Sequence, residues 1–194
     1  MNKKKACVLG AGNSAHVTAG LIASQPDWEC HVFAPWQNEA ELWQEGIAQG
    51  GIRLCYGADD DNQRVRGTPK KVSKFAKDVV PGCQILIMCL PALAYDLNIR
   101  AAAAYVDEGA LIGTICASNG FDWCIDDAMS KVGRAKDSYG IFALQNLPWA
   151  CRINKFGEEV SVMGTKPFME LVVRPEQRAQ ETSDTLTQLI RVKT

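Results

Sequence analysis

The stretch Ala6-Cys-Val-Leu-Gly10-Ala-Gly12-Asn-Ser-Ala15-His16 constrains this chain more than any other. An apolar run of strand type, Lys4–Leu9, leads into G-x-G-x-x-A, and Ser14–Ser24 beyond it reads as a helix. A strand, a glycine turn and a helix in that order form the phosphate-binding corner of a βαβ unit. Gly10 permits the tight turn off the strand. Gly12 lets the backbone approach a pyrophosphate, which any Cβ there would strike. Ala15 stands for the third glycine and is small enough for the helix to pack on the strand. The N–H groups of Asn13, Ser14 and Ala15 are unpaired at a helix start and point toward the anion, with the helix dipole behind them. These residues, with Ala11 between the glycines, are the candidate dinucleotide-binding set.

The rest of the chain alternates in the same way. Trp28–Phe33 reads as a strand, and Asn38–Gln49 as a helix with Leu42, Trp43 and Ile47 on one side. Gly51–Gly67 reads as a hairpin-like excursion around the turn-rich Gly57–Asn62, and Val72 as a short strand followed by a helical turn to Val80. Gln84–Leu90 is a continuous apolar run, of the kind buried on both faces of a parallel sheet. Helix Ala92–Tyr105, strand Ala110–Cys116, helix Phe121–Val132 and strands Tyr139–Leu144, Val160–Gly164 and Glu170–Val173 follow. A final helix, Glu176–Ile190, is opened by Pro175. The pattern predicts an α/β fold, a doubly wound Rossmann-type parallel sheet with helices on both faces. Residues 1–175 form the dinucleotide-binding domain, and 176–194 a terminal helix that starts the link to a further domain.

Ligands of open α/β sheets gather at the carboxyl edge, so the loops leaving those strands matter most. Leu90-Pro91-Ala92 leaves one buried strand, Ser118-Asn119-Gly120 the next, and Asn146-Leu-Pro-Trp-Ala-Cys-Arg152 the one after. Pro91 is also an ordinary helix-start residue, and Asn119 an ordinary turn residue. The second strand ends Val32-Phe33-Ala34-Pro35-Trp36 without the carboxylate that holds adenosine ribose hydroxyls in many such folds. No Arg or Lys stands near it in sequence to receive a 2′-phosphate. The motif therefore leaves NAD against NADP open, with Asn38, Trp36 or Phe33 available to the adenosine.

Composition narrows the function classes. Basic and acidic residues number 21 and 22, a net charge of -1, which gives no electrostatic basis for binding nucleic acid or an anionic membrane. Eight cysteines include no CxxC pair, and Cys7, Cys83, Cys89 and Cys116 sit in or beside apolar runs as small hydrophobes. His16 and His31 have no ligand-like spacing, so no metal site is expected. Lys3-Lys4-Lys5 before Ala6–Leu9 imitates a signal peptide, but Gly10 and Gly12 break the apolar run too early. No apolar stretch is long enough to span a bilayer, and the cytoplasm is the expected location.

Gly10-Ala-Gly-Asn-Ser-Ala-His16 resembles the G-x-G-N-x-A-H opening of opine dehydrogenases. Leu147-Pro-Trp-Ala-Cys-Arg-Ile153, Phe156-Gly157 and Met163-Gly-Thr-Lys166 resemble the octopine dehydrogenase branch, and the Pro91-Ala92 loop fits as well. The resemblance covers essentially the whole chain, as the N-terminal half of that family. It implies reductive condensation of pyruvate, or a similar 2-oxo acid, with an amino acid, using NADH ahead of NADPH. It implies that Gly10, Gly12, Asn13, Ser14 and Ala15 hold the pyrophosphate and that Pro91 and Ala92 lie along the nicotinamide side. In the octopine branch Gln and Thr line the pyruvate entrance where this chain carries Asn119 and Asn146, departures that bear on substrate identity. The family's catalytic His–Asp pair and amino-acid pocket lie in a C-terminal helical domain. No catalytic residue is therefore assigned here, and the chain alone is expected to be inactive, with an apolar exposed face where that domain docks and poor solubility. Two other classes compete: the N-terminal domain of a glycerol-3-phosphate dehydrogenase-like enzyme, which lacks support from any Lys/Arg cluster after Pro91 or Asn119, and a stand-alone dinucleotide-binding module. A methyltransferase is more distant, since its second strand usually ends in an acidic residue.

Overall fold

The computed structural model describes residues 3–57, 65–118 and 120–194. In chain order the strands are β1 (Lys4–Leu9), β2 (Trp28–Phe33), β3 (Ile52–Tyr56), β4 (Val65–Gly67), β5 (Lys71–Ser73) and β6 (Ile85–Met88), then β7 (Leu111–Thr114), β8 (Gly140–Leu144), β9 (Trp149–Lys155), β10 (Glu159–Thr165) and β11 (Leu171–Arg174). The helices are α1 (Asn13–Ala23), α2 (Glu39–Ile47), α3 (Ala76–Val79), α4 (Tyr95–Ala103), α5 (Phe121–Lys131) and α6 (Ala179–Ile190). Short 3-10 turns, Ala92–Ala94 and Glu176–Arg178, lead into α4 and α6.

Seven strands form the main sheet in the order β11-β8-β7-β6-β1-β2-β5. All its pairings are parallel except β11 on β8. Alternation along β1 divides the core between the two faces of the sheet. Ala6 and Val8 point to a cluster with Val17, Leu21 and Ile22 of α1 and Leu186, Leu189 and Ile190 of α6. Cys7 and Leu9 point to the opposite cluster, built with α3, α4 and α5. This is the predicted doubly wound sheet. Residues 176–194 lie against the same core: the Trp28 indole N–H donates to the Gln188 side chain at 3.4 Å, and Ile190 is fully buried.

A second sheet, in the order β4-β3-β10-β9, covers the outer side of α1. β3 and β4 form the expected antiparallel pair, Ile52 opposite Gly67, while the tip of that excursion lies outside the described residues. β3 pairs parallel with β10, and β10 antiparallel with β9. The run after Asn146, read from sequence as a loop to Arg152, is a loop only to Pro148; Trp149 starts β9. α1 is thus sandwiched, and Ala15 through Ile22 are all buried. A helix between two sheets has no solvated face, so its sequence need not be amphipathic.

In α2 the buried residues are Ala40, Trp43 and Gly46, at intervals of three, and Leu42 is exposed rather than sharing a buried side with Trp43. Buried His31 donates from Nδ1 to the Val79 carbonyl at 2.8 Å and pairs through Nε2 with Glu29 at 2.8 Å, joining β2 to α3. All eight cysteines are free thiols. Among the described residues no helix is long and apolar enough to cross a membrane.

Candidate dinucleotide site at the carboxyl edge of the sheet

The glycine loop turns between β1 and α1 at the carboxyl edge. Gly10 has φ +115, and a Cβ there would lie 2.7 Å from the Cys89 carbonyl oxygen, so both conformation and space demand glycine. Gly12 differs. Its φ of -78 and ψ of -170 suit any residue, and a Cβ would meet nothing within 4 Å. Nothing in the folded chain requires glycine at position 12. The first helical bond runs from His16 N–H to the Gly12 carbonyl at 3.1 Å, which leaves the N–H groups of Asn13, Ser14 and Ala15 ahead of the ladder.

Two polar side chains of this loop, those of Asn13 and His16, are tied to the β9–β10 hairpin. Ile153 N–H in β9 donates to Asn13 Oδ1 at 2.9 Å. His16 is fully buried; its Nδ1 donates to the Gly12 carbonyl at 3.0 Å, and its Nε2 accepts from Gly157 N–H at 2.9 Å. Both partners fix one neutral tautomer. The imidazole stacks on Trp43 at 4.1 Å and meets the edge of Phe156 at 4.8 Å. Burial drives its pKa down to about 4, against carbonyl hydrogen bonds that raise it. Asn13 and His16 therefore fasten the β9–β10 hairpin over the glycine loop. Gly157 at the hairpin turn has φ +72, and its would-be Cβ lies 3.0 Å from the Trp43 carbonyl oxygen. A Gly157→Ala variant is expected to lose about 1–2 kcal/mol of unfolding free energy, read as a lower denaturant midpoint.

The hairpin forms one wall of a 590 Å³ cleft. Gly12, Asn13 and Ser14 form its base; Leu90, Pro91 and Ala92 come from the end of β6, and Cys116 and Ser118 from beyond β7. Trp149, Ala150, Cys151 and Met163 close the far side. Tyr95 stiffens the floor, its hydroxyl donating to the Cys116 carbonyl at 2.7 Å. Burial pushes the Cys89 thiol up to about 12, so it lines the cleft as a neutral group.

Of the residues singled out from sequence, Gly12, Asn13, Ser14, Pro91 and Ala92 meet in this cleft. Gly10, Ala11 and Ala15 are buried behind it. Asn146 is exposed just past β8 and does not line the cleft; Asn119 lies outside the described residues. The wall of Trp149, Cys151 and Met163 went unassigned, although the conspicuous Leu147–Ile153 run was the signal for it. A cation does stand near the end of β2: β5 runs parallel beside β2, Phe33 opposite Ser73, which brings Lys74 next to Ala34 across some forty residues of sequence.

No protein-family model matches the sequence. Octopine dehydrogenase of Pecten maximus is 33% identical over 166 residues, 85% of this chain and 41% of that protein. The chain thus spans less than half the length of this relative. Two solved structures of octopine dehydrogenase, one with NADH and L-arginine and one with NADH and pyruvate, are each 28% identical with a TM-score of 0.85. They cover 96% of this chain, and 46% and 47% of their own lengths. Over most of its length the chain is similar to the N-terminal half of opine dehydrogenases.

Proposed function

We propose that this chain is the NADH-binding half of an opine dehydrogenase, which reductively condenses pyruvate or a similar 2-oxo acid with an amino acid. The observation that carries the reading is Gly12: a glycine that the protein's own packing does not need, facing open space at the start of a buried helix. A pyrophosphate in that space is what a side chain would exclude. The residues fit the group. Gly12 admits it, the N–H groups of Asn13, Ser14 and Ala15 bond it, and the α1 dipole favours its charge. Pro91 and Ala92 would border the nicotinamide end, facing Trp149 and Cys151 across the cleft.

When bound, the dinucleotide supplies the hydride that reduces the carbon–nitrogen double bond formed between the two substrates. The chain's own residues bind and orient. Tyr95, Thr114 and the Cys116 carbonyl hold the floor, and the hairpin excludes water from one side. No proton-transfer role is assigned to any residue of this chain. Exposed Leu93, Trp123, Leu147 and Met163 are apolar surface at the starts of α4 and α5 and on the cleft wall, suited to a second domain closing over the site. Asn146, exposed just past β8 and outside the cleft lining, would reach the 2-oxo acid only once a second domain closes over this edge; Asn119, the other proposed contact, lies outside the described residues.

Calorimetric titration of the chain tests the reading. Saturable NADH binding, with NADPH weaker, is the expected result. Binding of neither nucleotide would overturn it.

A further inference from the structure

The carboxyl end of β2 gathers groups that are distant in sequence. Ala34 N–H donates to the Ser73 carbonyl at 3.0 Å, which sets Lys74 beside Ala34 and Pro35. The Lys74 ammonium lies 2.5 Å from Glu41 Oε1, in the first turn of α2, and donates to the Gln37 carbonyl at 3.4 Å. Gln37 takes φ 45 and so turns the loop between β2 and α2. Lys74 also lines a 330 Å³ cleft with Phe33, Phe75, Leu97 and Lys77, whose ammonium lies 5.8 Å from the Phe75 ring centroid, on the Phe75 side of the cleft and away from the Glu41 pair. Phe75 is 57% exposed and Trp36 63% exposed, aromatic surface that the fold leaves uncovered at this edge.

We propose that Glu41, positioned by Lys74, sets the choice between NADH and NADPH, with the adenine in the cleft between Phe75 and Leu97. The inference rests on the dinucleotide reading above. Adenosine lies by the end of the second strand in folds of this kind. A free lysine there would attract a 2′-phosphate. Lys74 is already matched by a carboxylate, and the hydrogen bond it donates holds Glu41 below the usual carboxylate range. A 2′-phosphate entering beside Lys74 therefore meets the Glu41 charge as well, and like charges at a binding surface repel. An uncharged ribose diol meets no such repulsion and donates hydrogen bonds to the carboxylate. The acidic residue absent from the end of β2 is thus supplied by the next helix. An exposed ion pair of this type adds little to stability, so selectivity is where its effect is read.

The test is calorimetric titration of the whole chain, its Glu41→Gln variant and its Lys74→Gln variant with NADH and with NADPH. Glu41→Gln is expected to shift the affinity ratio toward NADPH by about tenfold, and Lys74→Gln to shift it toward NADH. Opposite shifts support the inference, because loss of structure alone would weaken both nucleotides together. If both nucleotides bind and the ratio stays fixed, or both variants move it the same way, the inference is overturned and the dinucleotide reading stands. If the unmodified chain binds neither, the reading and the inference fall together.

Discussion

A Gly12→Val variant is expected to fold nearly as well as the unmodified chain and to bind NADH at least about 100-fold more weakly, a loss of about 2.7 kcal/mol. The two halves of this expectation come from different observations. Folding is spared because Gly12 has an extended backbone open to any residue, and because its Cβ direction is empty to 4 Å. Gly12 precedes α1, where valine caps less well than glycine, at a cost of about 1 kcal/mol. Binding is lost because two methyl groups would occupy the space beside the N–H groups of Asn13 to Ala15. Gly10→Val is the contrasting variant: with φ +115 and the Cys89 carbonyl in the way, it is expected to destabilise the fold itself. Unfolding curves and NADH titrations on the two variants separate these effects. NADH binding retained by Gly12→Val would remove the main support for the proposed site.

Acid is expected to weaken the fold in a window set by His16. Its imidazole is neutral in the folded chain, with its pKa driven down to about 4 by burial from an ordinary value of 6.5. Between those values the unfolded chain binds a proton that the folded chain does not, so unfolding becomes easier as pH falls. The full contribution is present above pH 6.5 and is lost by pH 4, about 3 kcal/mol in total. Protonation would also place an N–H on Nε2 facing the Gly157 N–H, donor against donor. His31 acts in the other direction. Burial lowers its pKa, but the Cys83 thiol, the Val79 carbonyl and Glu29 outweigh that and raise it. Its contribution is complete below 6.5 and fades as pH rises through the raised value, so the two histidines together favour stability near 6.5.

Asp126 adds a separate, lower window. Burial raises its pKa, yet hydrogen bonds from Arg174, Tyr139 and Lys136 pull it to about 2, so its contribution is lost as pH falls from 3.8 toward that value. His16→Gln isolates the first window, since glutamine takes no proton there. The variant is expected to lose about 1–2 kcal/mol at neutral pH with the stacking on Trp43, and to show a flatter profile between pH 6.5 and 4. Denaturant midpoints across that range provide the measurement; an unchanged slope in His16→Gln would assign the acid sensitivity elsewhere.

The main sheet was legible because each strand carries its own local signal. Ile85–Leu90 is apolar without interruption since β6 is buried on both faces, and the Gly10–Ala15 spacing reports a turn whose demands are local. The small sheet was legible only in part: the β3–β4 pair and the β10 run were read, but β9 was taken as loop and the joining of the two halves was not seen. Its β10 pairs with β3 across about a hundred residues, and nothing within either strand announces a partner so distant. The same holds for Lys74, which reaches the end of β2 through the pairing of β5. The buried run from Ala15 to Ile22 did carry a clue, because a helix without a polar face must be covered on both sides. Nor does the local sequence announce that the side chains of Asn13 and His16 reach a hairpin about 140 residues onward.

That covering has a consequence for motion. Backbone amides of a surface loop exchange with solvent through small local openings, whereas amides of a helix enclosed by two sheets exchange only when the whole domain opens. The amides of α1 from His16 onward thus belong to the slowest-exchanging set in the chain, at the very element that begins beside Gly12. Any closing movement around a ligand must then be made by other segments, while the glycine turn and its helix stay still as the fixed reference against which they move.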